Sequence, residues 1–308
     1  MTSRLFVLAF FALPMLLGPA YGQNPSPTGA LNGVDYTFQR MTATRTVDDR
    51  FDHGRITLVA LVFKPLKNDR HEVVLVSHGS TGGQIYDPRE PLSSSNFLDS
   101  QMRTMLLKRG YTLVLAERRG MAESTGTYAE ECAYQAGKCT LAEARERGQP
   151  ALEEALASTD AVWDQVVLKR LKPRDGEVIA YGGSRGGFLS LAFAAAHPDR
   201  VRAVLAVSPG WMSVADIWPA DENALRLAWH TTRLEQMGSK FKGPTLWVYA
   251  ARDPTYADAI TRQFFAAYQK GGGQGEYVYI AEHSLPSGHQ PAMALWKDSA
   301  ARFFDALR

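Results

Sequence analysis

The chain has 308 residues, 45% hydrophobic and 21% charged, and its 34 basic and 32 acidic side chains leave a formal charge of +2. That length and composition suit one large globular domain with a sizeable core. A nearly balanced charge with no basic stripe or acidic tail excludes nucleic acid and anionic membrane surfaces as expected partners.

Residues 1–22 differ from everything after them. Arg4 is their only charged side chain, Leu5 to Leu17 is apolar, and Ala20-Tyr21-Gly22 sets small residues at a cleavage point, the pattern of a secretory signal peptide. Thirteen apolar residues fall short of the roughly twenty that span a bilayer, so no membrane span is expected in the mature form. The expected location is secreted or periplasmic. A Pro/Gly/Ser/Asn-rich linker is expected over 23–33, and one domain over 34–308.

From there strand-like and helix-like segments alternate. The expected strands are Ile56 to Phe63, Glu72 to Ser77, Thr112 to Ala116, Glu177 to Tyr181, Val201 to Val207, Thr245 to Ala250 and Glu276 to Ile280. Helical spacing or composition marks Phe97 to Arg109, Ala151 to Lys169, Gly187 to Ala196, Tyr256 to Lys270 and Pro291 to Leu307. This order predicts an α/β protein with a mostly parallel central sheet flanked by helices. Two long connections, at about 118–150 and 209–243, are expected to form caps over the site. The first holds Cys132 and Cys139, the only cysteines. In an oxidising compartment they would form a disulfide, closing a short loop worth roughly 2.5 kcal/mol; their spacing does not match Cys-x-x-Cys. The second concentrates aromatics, and Trp211, Met212 and Trp218 are candidates either for an apolar substrate pocket or for the cap's own core.

Gly182-Gly-Ser-Arg-Gly-Gly187 lies between an expected strand and an expected helix. Gly-x-Ser-x-Gly in that position predicts a sharp turn carrying a nucleophile, Ser184, with the Arg185 backbone N–H aimed where an oxyanion would form. After the last expected strand, Ser287-Gly288-His289 offers a base at the sheet edge where ligands bind in such folds. His283 is its rival, and the histidines at 53, 71, 78, 197 and 230 read as structural or exposed. Asp253, leaving a buried strand before Pro254, is the preferred acid, with Asp258 and Asp216 as alternatives. Upstream, the glycine-rich loop His78-Gly79-Ser80-Thr81-Gly82-Gly83 follows a central strand. The amides of Ser80 or Thr81 are expected to complete the oxyanion site, with His78 shaping the loop.

These motifs, together with Ala116-Glu-Arg-Arg-Gly120, Glu123-Ser-Thr-Gly126, His197-Pro-Asp-Arg-Val-Arg-Ala203 and Ala251-Arg-Asp253, resemble the α/β-hydrolase family in family order over about residues 50–308. Within it the chain looks most like secreted esterases and dienelactone-hydrolase-like proteins. The resemblance implies a serine hydrolase cleaving a small ester or lactone, with Ser184, His289 and Asp253 as nucleophile, base and acid, and neither cofactor nor metal. It also implies that Glu117, where many relatives carry Asp, shapes a turn. Arg185 is expected to pair with a cap carboxylate or to meet an anionic substrate group. Two alternatives stand beside this reading. One is a peptidase of the prolyl-oligopeptidase type, a family that usually carries a long propeller ahead of its catalytic domain, whereas about thirty residues precede the first expected strand here. The other is a non-catalytic binding protein on the same fold.

Overall fold

A computed structural model of the chain describes residues 28–31, 33–80, 99–128, 130, 148–215 and 218–307. Nine strands form one sheet in the order β1-β2-β3-β5-β4-β6-β7-β8-β9. They are β1 (Thr28–Leu31), β2 (Val34–Asp48), β3 (His53–Pro65), β4 (Glu72–Ser77), β5 (Tyr111–Ala116), β6 (Val178–Gly183), β7 (Val201–Val207), β8 (Thr245–Ala250) and β9 (Glu276–Ile280). The first three and the β3–β5 pair run antiparallel, and the six strands from β5 to β9 are parallel.

Every residue of β4, β5 and β8 is buried, because a parallel sheet is covered on both faces and its strands read as continuous apolar runs. Alternation divides them between two cores. Val73, Leu75, Val178 and Ala180 face one side, with Phe188 and Trp247; Val74, Val76, Ile179 and Tyr181 face the other, with Leu106 and Phe304. The helices are α1 (Ser100–Lys108), α2 (Gly148–Val162), which runs on into a π-helical segment at Trp163–Leu171, α3 (Arg185–Ala196), α4 (Ala220–Lys240), α5 (Asp258–Lys270) and α6 (Lys297–Ala306).

Two features depart from expectation. Part of the predicted linker, Thr28–Leu31, pairs with Val34–Thr37 of β2, and β2 pairs with β3 along its length. β2 carries Thr, Arg, Gln and Asp between its buried Val34, Tyr36, Ala43 and Val47, so it lacks the apolar run of a central strand. The 209–243 connection is irregular only in its first part. Its remainder is α4, the crossover from β7 to β8, packed on α3 and α5. The inward stripe of α4 runs Glu222, Arg226, His230, Leu234 and Met237, helical in spacing but half polar, which hides it from hydropathy patterning. Most of the 118–150 connection, with Cys132, Cys139 and the disulfide expected between them, lies outside the described residues, as does residues 1–22.

From β4 the chain crosses through α1 to β5 on one side and, further on, reaches β6 on the other. The sheet's direction of winding therefore reverses between β4 and β6. A crevice opens at such a point beyond the carboxyl ends of the strands. Here the ends are Ser77 and Gly182, which sit side by side.

Candidate active site

The turn out of β6 is built by its glycines. A Cβ on Gly186 would strike the Ser77 carbonyl, and one on Gly182 would strike the backbone of Gly186. Between them Ser184 takes φ +54° and ψ −124°, a conformation rarely adopted by residues other than glycine. The turn is held by Ser184 N–H donating to Val207 O at 2.8 Å, and by Ser184 O accepting from Phe188 N–H at 3.1 Å and Gly210 N–H at 3.3 Å. Ser184 stands at the N-cap of α3, yet its hydroxyl makes no capping bond. The hydroxyl is turned instead to the loop after β9.

There Ser184 Oγ lies 3.0 Å from His289 Nε2, and His289 Nδ1 lies 3.1 and 3.0 Å from the two carboxylate oxygens of Asp253. A carboxylate can only accept, so Nδ1 carries the proton and Nε2 is left to accept from the serine hydroxyl. The Asp253 side chain is fully buried and the His289 side chain 22% exposed. Asp253 Oδ1 also accepts from the N–H groups of Thr255 (2.7 Å) and Tyr256 (3.2 Å), which fixes its plane. Gly288 allows the close approach that brings His289 inward, since a Cβ there would strike the Ala251 carbonyl. Ser184, His289 and Asp253, distant in sequence, are thus brought into one hydrogen-bonded chain.

The rival residues are occupied elsewhere. His283 Nε2 bonds Ala251 O at 2.7 Å, and its Nδ1 lies 3.0 Å from Arg252 Nη2. Asp258 pairs with Arg262 at 3.0 Å, and Asp216 lies outside the described residues. His78 is buried. Burial, with the Arg118 charge beside it, lowers its pKa to about 3, so it is a neutral linker: Nδ1–H donates to Gly79 O (2.8 Å) and Nε2 accepts from Arg118 N–H (3.2 Å). Gly79 touches the nucleophile's turn, for a Cβ on it would lie 3.2 Å from Gly183 O and 3.5 Å from Ser184 Cβ. Ser80 follows on the exposed edge of this loop, and Thr81 lies outside the described residues.

Arg185 folds back over the Trp211 ring, donating from Nε to Trp211 O (2.8 Å) and from Nη1 to Tyr128 Oη (3.2 Å). Its charge also reaches the buried Glu130 carboxylate. Trp211 is 1% exposed and belongs to the core, so its ring packs on Phe188 and does not line an open pocket. Met212 is half-buried beside Gly148. Trp218 bonds Ser213 Oγ at 2.7 Å and stacks under Arg226 at 3.6 Å. Trp211 is thus tied to Arg185, the residue beside Ser184.

Two residues of the site, Ser208 and Glu130, carry no signal in the sequence, and a further one, His230, reads there only as structural or exposed. Ser208, fully buried, accepts from Gln290 N–H at 3.3 Å and pins the loop after His289. His230 accepts from the N–H groups of Trp211 (2.9 Å) and Met212 (3.2 Å), and burial lowers its pKa to about 4. Glu130 grips Arg118. No motif marks any of them, because each works through a backbone group or a partner remote in sequence. Glu117 fulfils its expected turn role, accepting from Glu123 N–H at 3.0 Å. Among the described residues no three His, Cys, Asp or Glu side chains converge as a metal set, and no helix is long and apolar enough to cross a membrane.

The family profile described as the alpha/beta hydrolase fold matches residues 72–233, more than half of the chain. The chain belongs to the α/β-hydrolase fold family. Solved structures of the same fold resemble this α/β-hydrolase at low identity. Acetyl xylan esterase 1 from Thermoanaerobacterium sp. JW/SL YS485 is 19% identical with a TM-score of 0.53, over 86% of this chain and 87% of that one. Esterase Pf2001 of Pyrococcus furiosus is 12% identical with a TM-score of 0.53, over 88% and 89%. The Pyrococcus horikoshii acylaminoacyl peptidase is 12% identical with a TM-score of 0.57, over 88% of this chain but only 41% of the peptidase. A search of curated protein sequences finds no match.

Proposed function

We propose that this α/β-hydrolase is a serine esterase, cleaving a small carboxylic ester or lactone through an acyl-enzyme on Ser184. The observation that carries the reading is the Ser184–His289–Asp253 chain, with its nucleophile on a strained turn and its hydroxyl uncommitted to capping. His289 Nε2 takes the hydroxyl proton as Ser184 Oγ bonds to the substrate carbonyl carbon. The carbonyl oxygen becomes an oxyanion held by the N–H of Arg185 and one from the 79–81 loop, each donor worth roughly 3–4 kcal/mol in comparable sites. Collapse expels the alcohol, which receives the proton from His289. Water then repeats the sequence and frees the acid. Asp253 holds the Nδ1–H tautomer and stabilises the imidazolium. No cofactor enters this scheme.

The likeness to two solved esterases, which spans 87% and 89% of their chains, supports an ester or lactone as the substrate. Export by the segment at 1–22 and a Cys132–Cys139 disulfide are part of the same proposal; both rest on sequence. A panel of aryl esters of rising acyl length, lactones, feruloyl-type esters and aminoacyl amides, run beside Ser184→Ala, tests it. The wild type should turn over esters or lactones faster than amides, and the variant should lose several orders of magnitude, leaving roughly 10³–10⁴-fold over water. Amide cleavage exceeding ester cleavage would favour the peptidase, and equal turnover in Ser184→Ala would sink the nucleophile.

A further inference from the structure

Resting on the reading of Ser184 as nucleophile, we propose that Arg118 is the positioning residue of the oxyanion site, turning the His78 and Gly79 carbonyls away so that the following N–H groups face the substrate. Arg118 leaves the end of β5, the strand beside β4, and its side chain is 1% exposed. Its Nη1 donates to His78 O at 2.7 Å and its Nη2 to Gly79 O at 3.4 Å, while its own backbone N–H donates to His78 Nε2 at 3.2 Å. His78 Nδ1–H returns to Gly79 O at 2.8 Å. One side chain thus grips two successive peptide groups, directly and through an imidazole.

No peptide bond here is cis. In a trans peptide the C=O and the next N–H point in opposite directions, so carbonyls fixed toward Arg118 set the N–H groups of Gly79 and Ser80 away from it. Gly79 itself lies against Ser184 and Gly183. The amides are therefore presented beside the nucleophile, where donors to a tetrahedral oxyanion belong.

Glu130 holds the clamp in place. Both its carboxylate oxygens accept from Arg118, from Nε and from Nη2, the latter at 2.9 Å, and its side chain is 3% exposed. A pair buried so completely adds little net stability over an apolar pair of the same volume; what it supplies is a fixed plane. The guanidinium serves Glu130 with one edge and the two carbonyls with the other, a fork that the single ammonium of lysine lacks.

The test compares Arg118→Lys, Arg118→Met and Glu130→Gln in the full chain. Hydrolysis of p-nitrophenyl acetate is measured per serine titrated to completion with a fluorophosphonate, beside thermal melts and the affinity of an aryl trifluoromethyl ketone. Arg118→Met should lose roughly 10- to 100-fold in kcat per titrated serine, with KM within about threefold of wild type. The ketone, which forms an oxyanion in the same place, should weaken by the same factor as kcat. Arg118→Lys should fall in between, and if Arg118→Met does not fold, Arg118→Lys and Glu130→Gln carry the test. A merely structural role would lower the melting temperature and the titrated fraction while leaving kcat per titrated serine and ketone affinity unchanged, which overturns the clamp alone. Failure of the wild type to label at Ser184 overturns the clamp and the nucleophile together.

Discussion

At the residue scale, His289 and His283 lie six positions apart on one loop and differ in what their ring nitrogens face. His289 spans Ser184 and Asp253, whereas His283 is bound to Ala251 O and Arg252. His289→Ala should therefore abolish ester turnover, by roughly 10⁴-fold or more, and His283→Ala should leave it close to wild type; steady-state kinetics on one aryl ester decides between them. Loss on His283→Ala alone would move the base. Asp253 was the least distinctive of the three in sequence, since an aspartate before Pro-Thr also suits a turn. It performs both tasks, accepting from Thr255 and Tyr256 N–H while orienting His289.

At the element scale, the sequence is readable where burial imposes a period and opaque where polar groups replace it. The apolar runs of β4, β5 and β8 make the central strands readable, and the glycines around Ser184 mark the turn that follows β6. β2 is longer than any central strand, but it lies near the sheet's edge with Thr42, Thr44 and Thr46 between its buried positions, so the sequence marks no element there. The missed helix α4 buries Glu222 against Arg226 as a side-chain pair at 2.6 Å and His230 through backbone bonds, so its inner face carries charges that only tertiary partners explain. Trp211 shows the same limit. Aromatic content marked the loop after β7 as important, but whether the ring lines a pocket or fills a core depends on packing that composition does not contain.

At the scale of the whole molecule, two buried histidines hold loops of the site while remaining neutral, His78 linking the loops after β4 and β5 and His230 tying residues 211–212 to α4. His78 and His230 have pKa values lowered to about 3 and about 4, chiefly by burial. In the unfolded chain each takes up a proton near pH 6.5, so between roughly pH 6.5 and 4 the unfolded state binds more protons and stability falls as pH falls, by up to ~1.4 kcal/mol per pH unit for each group. Urea denaturation at pH 7.5 and pH 5 should show the decline, with a flatter dependence in His230→Gln; an identical slope in that variant would contradict the linkage. The central claim concerns the chemistry for which these loops are held, and covalent labelling tests it most directly. The full chain is treated with a fluorophosphonate and mapped by peptide mass spectrometry. The account predicts a single phosphonyl adduct on Ser184, absent in Ser184→Ala and slowed in His289→Ala. An adduct on another residue, or equal labelling of Ser184→Ala, would contradict it.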